Sequence, residues 1–189
     1  MSKSSGAAKN TLKRYVEYLE AAFLIKVVHR VDRNARRFER ANFFKVYLTN
    51  PSIRSALFSP IDAGDDAMGG LAETAIFSQW FHAPATPLHY ARWSTGEVDI
   101  VNVGPDQRIR WAVEVNWSDR FVDHPRELRS LLDFCAANGL TEATVTTRTV
   151  FAEREVNGVN IQFIPASVYC YQVGYHLVLS RRIAQSLVP

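Results

Sequence analysis

After Lys45 the sequence contains no lysine; all five (Lys3, Lys9, Lys13, Lys26, Lys45) lie in the first quarter. No glycine anywhere is followed by lysine, so the G-x-x-x-x-G-K-[ST] loop that cradles nucleotide phosphates is absent and no ATP hydrolysis is expected of this chain. The only two cysteines, Cys135 and Cys170, have apolar neighbours and no metal-ligand spacing, and they read as reduced core thiols. No stretch approaches the roughly 20 apolar residues that span a bilayer. The N-terminus, Met-Ser-Lys-Ser-Ser-Gly, lacks the apolar run of a secretory signal. A cytoplasmic protein with no membrane partner is expected. The histidines (His29, His82, His89, His124, His176) show no H-x-x-x-H spacing, and no G-x-S-x-G nucleophile elbow is present.

With 189 residues, 47% of them hydrophobic, the chain suits one ordinary domain with a small extension. Its net charge of +3 hides an asymmetry. Residues 1–60 hold 12 Lys and Arg against 4 Asp and Glu, a balance of +8, and the remainder holds 10 against 15, a balance of −5. A basic segment beside an acidic one fits a nucleic-acid-facing part joined to a metal-binding part, and equally a solvated basic face.

The spacing of Leu12, Tyr15, Val16, Leu19, Ala22 and Phe23 predicts a helix over 11–23, followed by strands at 24–31 and 43–48. Helix plus hairpin resembles the second half of a winged helix. Lys9, Lys13 and Arg14 at the start of the helix, and Arg33, Arg36 and Arg37 at the wing, are the candidate nucleic-acid contacts. A short helix from Pro51 to Phe58 and a linker over 59–68 close this part. The expected division is a partial winged-helix segment over 1–59 and a second domain over 60–189. The second part reads as a helix at 69–81, strands at 88–93, 97–103 and 109–117, and a helix at 125–137. Strands at 142–150 and 159–164, a short helix at 166–171 and a helical tail from Tyr175 follow. Its order is helix, three strands, helix, strand, an α/β arrangement.

Within that order sits an acidic constellation. Glu73 is the only charged residue from Gly69 to Phe81, and a lone carboxylate on an apolar helix needs a partner or a cleft. Glu97 and Asp99 alternate with Val98 and Ile100, which puts both acids on one strand face. Glu97, next to a turn, is expected to point away. Glu114 and Asn116 share a face of the next strand, opposite Trp111, Val113, Val115 and Trp117; the two tryptophans are expected to pack beneath a helix. Acids in adjacent strands repel unless a cation lies between them. Hard carboxylate oxygens suit Mg²⁺ or Mn²⁺, with Asp99, Glu114 and Glu73 as ligands.

Gly70-Leu71-Ala72-Glu73, Gly96-Glu97-Val98-Asp99 and Glu114-Val115-Asn116-Trp117-Ser118 resemble the signature of domain of unknown function 4143. That domain is the C-terminal part of many prokaryotic AAA-type ATPases and has the restriction-endonuclease-like PD-(D/E)xK fold. Thr11-Leu12-Lys13-Arg14-Tyr15, Leu19 to Ile25 and Lys45-Val46-Tyr47-Leu48 resemble the winged-helix segment before it. The resemblance implies a nuclease-like, nucleic-acid-associated domain with a metal-dependent catalytic set of Glu73, Asp99, Glu114 and Asn116. It departs at one position, for Glu-x-Lys reads Glu114-Val115-Asn116. With no lysine after Lys45, none is expected to replace it, and weak or absent cleavage follows. An active Mg²⁺-dependent DNA endonuclease, and an interaction or dimerisation domain with a vestigial site, are the alternatives. The apolar face of the first helix points to a homodimer or another protein partner.

Overall fold

Between Met68 and Trp80 nearly every residue is apolar or small, and the helix they form is covered accordingly: Ala72, Ile76, Phe77 and Ser78 are buried. This helix, with its one carboxylate, faces a mixed sheet that organises the rest of the chain. The computed structural model describes residues 8–34, 43–83 and 86–186.

The elements in chain order are α1 (Lys9–Ala21), β1 (Ile25–Val31), β2 (Phe44–Leu48), α2 (Ser52–Leu57), α3 (Met68–Trp80), β3 (Leu88–Arg92), β4 (Glu97–Val103) and β5 (Ile109–Glu114). Then come α4 (Arg120–Asp123), a single 3₁₀ turn, α5 (Arg129–Asn138), β6 (Glu142–Thr147), β7 (Ala152–Val156), β8 (Val159–Pro165) and α6 (Ala166–Ser186). Eight strands form one sheet in the order β2-β1-β3-β4-β5-β6-β8-β7. β3, β4 and β5 make an antiparallel meander, and β6 joins β5 in parallel after the α5 crossover. Helix, three strands, helix, strand is therefore present. The expected strand at 142–150 ends at Thr147, and the expected tail helix is continuous with the short one before it, as α6. The edge strand β7 is an addition.

β1 pairs in parallel with β3, His29 beside His89 and Val31 beside Ala91, so the sheet runs unbroken across the expected boundary at residue 59. The two-stranded hairpin of the first segment is thus an extension of the sheet of the second. Arg36 and Arg37 lie outside the described residues, as does the side chain of Lys9.

The sheet carries one apolar cluster on each face. Val98, Val101, Ala112, Leu131, Phe134, Cys135 and Phe163 pack on the α5 side. Ile76, Phe77, Tyr47, Ile100, Val113 and Tyr169 pack on the side of α3 and α6. Cys135 belongs to the first and Cys170 borders the second, so the sheet separates the two free thiols. Phe77 and Phe134 are fully buried, and truncating either to alanine would cost about 3–5 kcal/mol. Trp111 stacks on Trp80 of α3 at 5.0 Å, as expected of a tryptophan beneath a helix.

Two side chains fix the exit of β5. Thr146, fully buried on β6, accepts the Asn116 N–H at 2.9 Å and donates to the Asn116 carbonyl at 3.0 Å. Asp119 then accepts the N–H groups of Arg148, Thr149 and Val150 and the Thr149 hydroxyl, binding the segment after β5 to the end of β6. Burial opposes the Asp119 charge, but these hydrogen bonds outweigh it and hold its pKa below the ordinary carboxylate range. Asp119→Ala should therefore lower stability at neutral pH by about 1 kcal/mol, a figure kept small by solvent screening. Because the folded pKa is depressed, this contribution is present above the unfolded value near pH 4 and vanishes as pH falls through the folded one. Urea unfolding of both proteins at neutral and acid pH checks this, and a gap that widens on acidification contradicts it.

Candidate functional site

The site forms where β2 and β4 meet α3, and its centre is Lys45. The ammonium lies 2.9 Å from Glu73 Oε1, 2.6 Å from Glu97 Oε1 and 3.4 Å from Asp99 Oδ1, so one cation gathers carboxylates from a helix and a strand. Lys45 reaches them because β2 alternates: Lys45 and Tyr47 face inward while Phe44 and Val46 face solvent. The Tyr47 ring stacks on Phe77 of α3 at 4.0 Å, and its hydroxyl donates to Glu73 Oε1. Tyr90 completes the wall, with Lys45 Nζ 5.3 Å from its ring centre.

Asp99 owes its direction to a bulge. Ala91 pairs with Val98 but His89 pairs with Val101, so β4 spends three residues where β3 spends two. The extra residue lets Val98 face the α5 cluster while Ile100, two positions on, faces the α3 cluster. Simple alternation would have kept those two residues on one side. The acids converge even so, since a bulge beside a site re-aims side chains. The second oxygen of Asp99 accepts the Val115 N–H at 2.9 Å. Glu114, the last residue of β5, is held by a hydrogen bond from the Asp99 backbone. Its Oε2 is shut off from solvent and has no hydrogen-bond partner, and the same is true of Asn116 Nδ2.

The charges follow from this packing. Burial opposes the ammonium of Lys45, yet Glu73, Asp99 and Glu97 outweigh it and hold its pKa above the ordinary lysine value. Burial and the neighbouring Glu73 keep the Tyr47 phenol firmly protonated, which makes it the donor to Glu73. Burial, then the nearby Glu73, push the Asp99 carboxyl up to about 6, against the pull of Lys45 and the Val115 N–H. Glu114 is raised well above the usual range by burial and by Asp99.

Of the residues singled out in the sequence, Glu73 and Asp99 meet on Lys45, and Glu114 adjoins Asp99. Asn116 sits just beyond, tied through its backbone to Thr146. Glu97, expected to point away, makes the shortest of the three contacts to Lys45, because the ammonium on β2 lies on its side of the sheet. Lys45 itself is not among the expected site residues, because it precedes the expected domain boundary at residue 59. The usable signal was the alternation of β2, which puts Lys45 and Tyr47 on one face. Lys13 on α1 pairs with Glu17 at 3.7 Å and Arg14 is exposed. Arg33 is exposed and reaches toward the Asp133 carbonyl at the far end of β1.

A family described as Domain of unknown function (DUF8612) matches residues 1–64. The match covers α1, β1, β2 and α2, with Lys45 and Tyr47, and ends before Glu73. No curated protein and no solved structure matches the chain. No helix among the described residues is long and apolar enough to cross a membrane.

The donor chemistry at β4 and β5 fits a hard divalent cation, because Asp99 and Glu114 offer carboxylate oxygens and one of them, Oε2 of Glu114, is buried and unpartnered. No group of three or more His, Cys, Asp or Glu among the described residues is gathered closely enough to hold a metal ion, so a cation here would rest on the two carboxylates of Asp99 and Glu114.

Proposed function

We propose that this chain is a nuclease-like, nucleic-acid-associated domain whose phosphodiester cleavage is weak. The supporting observation is the position of Lys45, a cation set among Glu73, Glu97 and Asp99. Nuclease chemistry needs carboxylates to hold a divalent cation and a positive group to steady the attacked phosphate. The motifs around Glu73, Asp99 and Glu114 resemble those of domain of unknown function 4143, and the order of helix, three strands, helix and strand is the order that a restriction-endonuclease-like core would need. When bound, Mg²⁺ or Mn²⁺ would be held by Asp99 and Glu114 and would supply an activated water. The chain's own residues do the rest: Tyr47 orients Glu73, the Val115 N–H orients Asp99, and Lys45 carries the positive charge. Cleavage is weak in this reading because three carboxylates neutralise Lys45 and a neutral amide, Asn116, stands in the Glu-x-Lys slot. Lys13, Arg14 and Arg33 are the exposed cations for phosphate contact.

A second reading is an active Mg²⁺-dependent endonuclease, in which Lys45, with Nζ 3.4 Å from Asp99, takes the place of the missing lysine. Plasmid nicking in Mn²⁺ and mobility shifts on single- and double-stranded DNA and RNA separate the two. Slow nicking that disappears in Asp99→Asn, together with a salt-sensitive shift, is expected. Fast nicking lost in the same variant establishes the second reading. A protein that shifts none of the nucleic acids sinks both.

A further inference from the structure

We infer that Lys45 is a built-in competitor of the metal: its ammonium and a divalent cation contend for the same carboxylates, so the cation binds only as Nζ withdraws from Asp99. This rests on the nuclease-like reading for the identity of the cation, but it stands on the geometry of this chain.

Two observations point the same way. The first is the set of contacts around Nζ. A carboxylate oxygen that serves Mg²⁺ or Mn²⁺ lies about 2.0–2.2 Å from the metal. Oδ1 of Asp99 instead faces an ammonium at 3.4 Å, with Glu73 and Glu97 closer at 2.9 and 2.6 Å. An ammonium and a doubly charged ion on one oxygen would sit within a few ångströms of each other, where like charges repel strongly in a partly buried site. The second observation is independent of Lys45. Glu114 Oε2 is a carboxylate oxygen buried with no hydrogen-bond donor, beside Asp99 and beyond the lysine's contacts. A buried acceptor without a donor marks a place where a cation or proton is wanted.

The contact to Asp99 is the longest of the three, which makes it the first to yield. Glu97 gives the retreating ammonium somewhere to go, and Arg92, 3.3 Å from the other oxygen of Glu97, fixes that carboxylate on the rim. In the metal-free protein Lys45 does the metal's electrostatic work of keeping the acids together. In the loaded protein it becomes a neighbour held by Glu97 and Glu73. Lys45 is thus a positioning residue that sets the metal affinity.

The test measures Mn²⁺ binding to the full chain by isothermal titration calorimetry, without nucleic acid and without any reading of cleavage. Lys45→Met should bind Mn²⁺ at least tenfold more tightly than wild type, and adding Asp99→Asn to it should abolish the gain. If Lys45→Met does not fold, Lys45→Met with Glu97→Gln, compared against Glu97→Gln alone, relieves the repulsion and carries the same comparison. Equal or weaker Mn²⁺ binding on loss of Lys45 overturns the inference and makes the lysine a companion of the metal. Tighter binding in a protein that neither shifts nor nicks nucleic acid would uphold the competition while refuting the nuclease-like reading.

Discussion

Lys45→Met should lower the unfolding free energy at neutral pH by about 2–4 kcal/mol, among the larger effects of a single substitution outside the core. The side chain it removes is a cation in contact with all three of Glu73, Glu97 and Asp99, each partly buried. Removing one partner of such a set costs more than the set contributes, since the remaining charges stay desolvated and face each other. Asp99, its carboxyl already pushed up to about 6, relieves this by taking up a proton, so the loss should shrink as pH falls through about 6. Adding Glu97→Gln should restore part of the stability at neutral pH. Urea unfolding of the two variants decides the matter; a loss below about 0.5 kcal/mol would show that solvent already screens the cluster.

The second large effect concerns cleavage. Asn116→Lys should raise the plasmid nicking rate about 100-fold, the scale of one well-placed group acting on a developing charge, roughly 3 kcal/mol. Asn116 Nδ2 is buried without a partner and Glu114 Oε2, two residues earlier, is likewise unpartnered. A lysine here would bring a donor to Glu114 Oε2, which has none, and a positive charge beside it. It would also leave Lys45 free to remain on Glu73 and Glu97. A folded Asn116→Lys protein that nicks no faster than wild type would mean that the slot is not what limits the reaction.

How much of this site the sequence exposes depends on how local each signal is. Glu73 is legible because it is alone on an apolar helix. Asp99 and Glu114 are legible because strand alternation singles them out. Trp111 packs against α3, as its place on the apolar side of β5 requires. Lys45 is not legible as a site residue, because its position depends on β1 pairing with β3 across some sixty residues. Nothing in the local pattern of either strand announces that pairing. Val98 and Ile100 look equivalent in sequence, yet a bulge sends them to opposite clusters. β7 escapes because its central residues, Glu153, Arg154 and Glu155, are exposed and charged, and an edge strand needs no apolar face. α6 reads as two pieces because Gly174 interrupts its pattern, although a Cβ added there would meet the Gln79 side chain only at ordinary contact distance.

Among the described residues, the strand that delivers Lys45 is paired along one side only. β2 is the outermost strand of the sheet and pairs with β1 through five residue positions, from Phe44 beside His29 to Leu48 beside Ile25. Side chains alternate with a period of two, so a slip of a single position would turn Lys45 outward and bring Phe44 or Val46 over the acids. The electrostatic state of a pocket formed by α3, β4 and β5 is therefore governed at the sheet's margin, by a short ladder of hydrogen bonds. The stacking of Tyr47 on Phe77 acts as its ratchet, for the ring fits against α3 in one register and not in the adjacent one.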